Sequence, residues 1–136
     1  MSFAFRGILS DATMAEWSVL AAAPPGHPVA EPAQLILAGL PPPFADIDAL
    51  AQRLSAKLLG RTVVAMDYVT WAGAFDGFSA SVYRHGALSD GIRYRDATGR
   101  AGEEAFFRVM LELGVVLPDG GYFRPFDRSM PDHAGG

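Results

Sequence analysis

The 136-residue chain has no cysteine, which removes disulfide frameworks, thiolate zinc sites, iron–sulfur clusters and cysteine nucleophiles together. Lysine is almost absent as well, with Lys57 alone beside the arginines. The 11 bases are outnumbered by 15 acids for a formal charge of −4. Without a basic excess there is no electrostatic footprint for nucleic acid. No apolar run approaches the roughly 18 residues that a bilayer span needs, so no membrane partner is expected. The first ten residues lack the basic-then-apolar layout of an export signal, and a cytoplasmic location is expected. The phosphate-cradling patterns Gly-x-Gly-x-x-Gly and Gly-x-x-x-x-Gly-Lys-Ser/Thr do not occur, nor does the Gly-x-Ser-x-Gly elbow of serine hydrolases. The three histidines, His27, His85 and His133, are too far apart in the chain for metal-ligand spacing. No cofactor or metal is therefore expected.

What is present is an apolar, charge-poor chain, 50% hydrophobic and 19% charged, long enough to bury a core as one domain. Its clearest signal lies between residues 61 and 96. Residues 62–71, 78–85 and 91–96 are rich in β-branched and aromatic side chains, and the Gly- and Asp-bearing segments 72–77 and 86–90 between them suit turns. These predict an antiparallel meander. Alternation puts Phe78, Ala80 and Val82 on one face and Ser79, Ser81, Tyr83 and His85 on the other, so one face suits a core and the other water or a partner.

Before the meander, residues 3–9 alternate as a first strand, and Ser10 is placed to cap a helix over 11–22 whose anchor is Trp17. Prolines 24, 25, 28 and 32 then impose a loop. The apolar run 34–39 reads as a covered strand. Ile47, Leu50, Ala51, Leu54 and Leu58 fall at helical spacing, with Asp46 and Asp48 at the start and Gly60 at the end. A third helix is predicted from about 103 to 113, followed by a short apolar stretch at 115–117 and an aperiodic, aromatic tail. The expected fold is α+β, a mostly antiparallel sheet in the order β-α-β-α-β-β-β-α with helices packed on one face. One domain spans 1–130, and 131–136 form a frayed tail.

Three sets of residues can carry chemistry or binding. His85 ends a strand within reach of Asp90 and can be a general base or an ordinary hairpin residue. Asp67 interrupts an apolar strand. Either its face is core and the charge is paired, or the face is wet and the buried side is Val64, Met66 and Tyr68. Arg84, Arg93 and Arg95 fall on neighbouring strands and can bind a carboxylate or phosphate, or be neutralised by nearby acids. Tyr, Trp and Arg dominate protein-interface hot spots. On that ground Trp71, Phe75, Tyr83, Arg84, Arg93, Arg95 and the tail residues Tyr122 and Phe123 are the candidate partner-binding set.

The stretch from Gly77 through Phe78, Ser79, Ala80, Ser81, Val82, Tyr83, Arg84 and His85 to Gly86, and the tail from Gly121 to Arg128, resemble in style the small bacterial immunity proteins that neutralise toxins. That resemblance implies a non-enzymatic module, monomeric or weakly dimeric, that occludes a protein partner stoichiometrically. The rival reading is a small enzyme or small-molecule-binding domain that uses His85, Asp67 and the arginines. Self-association through an edge strand is a third.

Overall fold

The computed structural model describes residues 2–20, 26–29, 35–39, 46–71 and 74–114. The elements run β1 (Ser2–Ser10), α1 (Met14–Ser18), β2 (His27–Val29), β3 (Leu35–Gly39), α2 (Ile47–Lys57), β4 (Val63–Trp71), β5 (Ala74–Arg84), β6 (Ala87–Ala97) and α3 (Gly99–Glu112). Among the described residues they build one six-stranded sheet in the order β2-β3-β1-β4-β5-β6, antiparallel at every pairing. The α+β class and the meander are as the sequence predicts. The tail residues Tyr122 and Phe123, and the stretch at 115–117, lie outside the described residues.

Several expectations need correction. An extra strand, β2, occupies the segment read as a proline loop. β1 runs through Ser10, so that residue does not cap a helix. Buried, it donates its hydroxyl to the Thr62 carbonyl (2.8 Å) and accepts the Ala12 N–H (3.1 Å). The first helix is a single short piece capped by Thr13, whose side chain and Glu16 make a reciprocal capping box. α3 begins at Gly99, inside the predicted loop.

The largest correction concerns the layers, because the helices pack on both faces of the sheet. On one side α3 lays Ala105, Phe106, Val109 and Met110 on Phe5, Leu9, Val64, Met66, Tyr68, Phe78, Ala80 and Val82. On the other, α2 and Trp17 of α1 cover Ile8, Ile36, Ala38, Val63, Ala65 and Tyr83. Central strands buried on both sides near their shared end explain the unbroken burial of residues 62–66 and 80–83.

The hairpin between β5 and β6 turns on two residues, His85 (φ 54°) and Gly86 (φ 78°). Two positive φ values in a two-residue loop match the primed turns that follow a strand pair's twist. The tip also leans on α2: Gly86 N–H donates to Ser55 Oγ (3.0 Å), and Gln52 Nε2 donates to the Gly86 carbonyl (2.9 Å). A Cβ at Gly86 would stand 3.2 Å from that of Ala56. Gly86→Ala is therefore expected to lose about 1–2 kcal/mol of stability, from the left-handed backbone and the crowding together. A urea-denaturation midpoint unchanged from wild type would contradict this account of the turn.

Candidate functional site

Among the described residues, the α2 side of the sheet is only half roofed. α2 has 11 residues and is about 16 Å long at 1.5 Å per residue. β4 has 9 and extends about 30 Å at 3.3 Å per residue. Even laid along the strands, the helix cannot cover the whole face. On β4 the residues facing this side change accordingly from buried (Val63, Ala65) to exposed (Asp67, Val69, Trp71). Trp71 is 62% exposed and Val69 40%. Asp67 thus stands on a wet stretch of its face, with Val64, Met66 and Tyr68 buried behind it, the second of the two readings of that residue.

Registered beside this open stretch are Arg6 of β1, opposite Asp67, and Ser79 of β5, opposite Asp67 on its other side. Arg6 Nε lies 3.8 Å from Asp67 Oδ2. Asp96 joins the group from β6, its N–H donating to Ser79 Oγ (3.1 Å). Partial loss of water around the half-exposed Asp67 side chain raises its carboxyl above the ordinary aspartate range. The Arg6 charge opposes that shift and the Asp96 charge adds to it.

The sign follows from linkage. A carboxyl raised in the folded state binds more protons there than in the unfolded chain, so its charged form weakens folding as pH rises from about 4. Asp67→Asn is expected to unfold at higher temperature than wild type at neutral pH, with the gap closing as pH falls below about 4. A variant less stable at neutral pH would mean that the Arg6 pair outweighs desolvation.

Where the open stretch meets the N-terminal turn of α2, a polar network spans helix and sheet. Asp46 caps α2 by accepting the Ala49 N–H (3.0 Å). Asp48, within the first turn, accepts the Tyr83 hydroxyl proton (2.8 Å) and lies 3.5 Å from Arg95 Nη2. Arg93 Nη2 donates to Tyr83 Oη (3.1 Å), while Arg93 Nε and Arg95 Nη1 each donate to Ser81 Oγ at 3.2 Å. Burial, with the bond to Asp48 next, raises the Tyr83 hydroxyl above the ordinary tyrosine range, against the smaller influence of Arg93. Tyr83 therefore works as a neutral bridge, and its two bonds fix the guanidinium of Arg93 beside that of Arg95.

The predicted binding set is thus divided. Trp71, Arg93 and Arg95 are exposed on one face. The Tyr83 ring is buried at 3% exposure under α2 and reaches the surface network only through its hydroxyl. Phe75, expected at the surface, is also 3% exposed and belongs to the α3 core. The cause is a bulge: Gly77 pairs with Val69 and Phe75 with Thr70, leaving Asp76 as an extra residue. That insertion reverses alternation and turns Phe75 inward.

Arg84, expected to cluster with the other arginines, alternates to the α3 side. There it donates to Thr62 Oγ1 (2.9 Å), to Ser89 Oγ and to the Glu112 carbonyl (3.1 Å), and pairs with the Glu112 carboxylate (3.0 Å). It ties down the C-terminal turn of α3, where a cation meets the helix's negative end. His85 is exposed in the turn. It stands six residues along β5 from Ser79, the partner of Asp67, a separation of about 20 Å along the strand. The rival set of His85, Asp67 and three arginines therefore does not converge.

Sequence reasoning missed Asp48, Ser81 and Arg6. Asp48 has an ordinary explanation at a helix start, and Ser81 has no signal beyond alternation. Arg6 was legible only as one member of an alternating first strand.

Comparison with known proteins returned no matching family model, no matching curated protein and no matching solved structure. Among the described residues, no helix is long and apolar enough to cross a membrane.

Proposed function

We propose that this chain is a non-enzymatic protein-binding module that neutralises a toxin by stoichiometric occlusion, in the manner of an immunity protein. The observation that carries the reading is the half-roofed sheet face, which leaves Trp71 and Val69 exposed at the end of β4, bordered on one side by the charges of Arg6, Asp67, Asp96, Arg93 and Arg95. An apolar patch with an aromatic anchor beside polar, charged surface is a combination that protein interfaces use. The rim residues would orient the partner and speed encounter, while Trp71 and Val69 would supply the desolvated contact. A rigid platform suits occlusion, since strands hold side chains more firmly than loops do.

The small-molecule or enzymatic reading draws on the partly desolvated position of Asp67 beside Arg6 and Asp96, because perturbed acids gather at functional sites. The distance from Asp67 to His85 counts against a shared active centre.

The test is to isolate the protein with its partner from the native cell and assay the partner's toxicity after adding wild-type or Trp71→Ala protein. One-to-one neutralisation by wild type, lost in the variant, is expected. A partner without toxic activity would end the immunity reading, and full neutralisation by Trp71→Ala would remove the proposed surface.

A further inference from the structure

We propose that residues 92–95 of β6 accept an extended segment of the partner protein as an added strand, and that this segment alternates acidic, apolar and acidic side chains. The inference rests on the protein-binding reading and names the chemistry of the partner. Among the described residues β6 is the last strand of the sheet, with β5 on one side only. An edge strand turns the N–H and C=O of every second residue away from its neighbour, a ready template for another chain.

Two irregularities limit that template. Asp90 (φ 50°) and Gly91 (φ 66°) interrupt the strand at one end and Asp96 (φ 52°) at the other, where the register with β5 shifts. Between them the pairing is regular, Arg93 with Ser81 and Tyr94 with Ala80. Bulges guard edges against indiscriminate pairing. Here they leave a window of four residues, about 13 Å long.

The side chains around the window set what fits. Arg93 and Arg95 are exposed on the α2 side and held side by side by Ser81 Oγ. Asp48 is the one carboxylate that pairs with either among the described ion pairs, so two cations share one negative charge. Arg95 Nη1 also donates to the Tyr94 carbonyl (2.8 Å), a local bond that an incoming carboxylate can replace. On the opposite face, Ile92 is buried and Tyr94 half-buried against the α3 core. A strand laid beside residues 92–95 would therefore place acids next to the two arginines and an apolar side chain next to Tyr94.

A second copy of this chain does not meet those terms. Antiparallel pairing of two β6 strands about Tyr94 sets Arg93 of one copy opposite Arg95 of the other on a shared face, and like charges directly opposed destabilise a pair. Asp90 and Asp96, at the two ends, likewise disfavour an acidic run longer than the window and so help to fix register.

The test is an NMR titration of the full chain with a ten-residue peptide carrying Glu-Val-Glu at its centre. Two further peptides are N-methylated at adjacent central residues, because only every second N–H of an added strand faces β6. Saturable shifts in the amides of residues 92–95 are expected, weakened about tenfold or more by Arg93→Glu with Arg95→Glu. One methylated peptide should bind as the parent does and the other about tenfold more weakly. Equal binding by both would mean attachment through charge alone and would overturn strand addition. So would an absence of shifts at ~1 mM peptide, a range that already reaches very weak complexes. Either failure leaves the protein-binding reading standing, since that is judged by Trp71→Ala against the native partner.

Discussion

Replacing Phe106 by alanine is expected to lower the unfolding free energy by about 3–5 kcal/mol. Phe106 is fully buried on the inward face of α3, and its ring lies among those of Phe75 (5.5 Å), Phe78 (5.8 Å), Tyr68 (6.1 Å) and Phe107 (6.3 Å). The contacts to Tyr68 and Phe78 are edge-on, the arrangement that aromatic quadrupoles favour. Deleting the ring leaves a cavity at the meeting point of helix and meander. Collapse around it is restricted, because Gly102 already draws α3 close: a Cβ there would stand 2.7 Å from that of Phe75 and 2.9 Å from the Ala97 carbonyl oxygen. Natural domains are stable by only about 5–15 kcal/mol, so this one change should take a large share of the total. A urea midpoint within error of wild type would show that α3 is not the principal roof on that side.

Trp71→Ala is expected to behave in the opposite way. With 62% of the residue exposed at the end of β4, stability should move by no more than about 0.5 kcal/mol, as at other surface positions. Partner affinity should fall by about thirtyfold or more, since a buried interface tryptophan typically contributes at least about 2 kcal/mol. The two variants therefore separate folding from binding. Phe106→Ala should unfold easily yet bind normally while folded, and Trp71→Ala should be stable yet bind poorly. Isothermal titration against the native partner, paired with denaturation of each variant, measures both quantities.

Much of the fold could be read from residues 61–96 because local signals there agree with the global structure. β-Branched runs, turn glycines and alternation all point to the same meander, and the Asp46-capped pattern of Ile47, Leu50, Ala51 and Leu54 marks α2 in the same way. What alternation cannot reveal is how many layers a strand lies between. Ser81 and Tyr83 read as a wet face by their polarity, yet both are buried, Tyr83 in the α2-side core, and their hydroxyls are satisfied by Arg93, Arg95 and Asp48. The same limit hid the bulge at Asp76, which reverses Phe75, and placed Arg84 with Arg93 and Arg95 when it ties down α3 instead. The turn was misplaced toward residues 86–90 because Ser89 and Asp90 carry turn chemistry. That chemistry is used inside β6, where Asp90 and Gly91 take left-handed backbone within the strand.

The proposed binding surface was legible in part. Trp71, Arg93 and Arg95 stand out by residue type, and all three are exposed. Asp67 stood out as a charge in an apolar strand, and the reason is geometric: α2 is too short to reach it. The helix that made half of one face into core left the other half as surface, and no local pattern in β4 announces where that boundary falls.

The most direct test of the central claim uses the two tryptophans, since Trp17 is buried in the α2-side core and Trp71 lies on the open face. In a Trp17→Phe variant, Trp71 is the only tryptophan of the chain. Its fluorescence should be red-shifted and readily quenched by acrylamide in the free protein, then shift to the blue and become protected when the native partner is added at one-to-one stoichiometry. Unchanged emission and quenching in a complex shown by other means to have formed would contradict the claim that this face is where the partner sits.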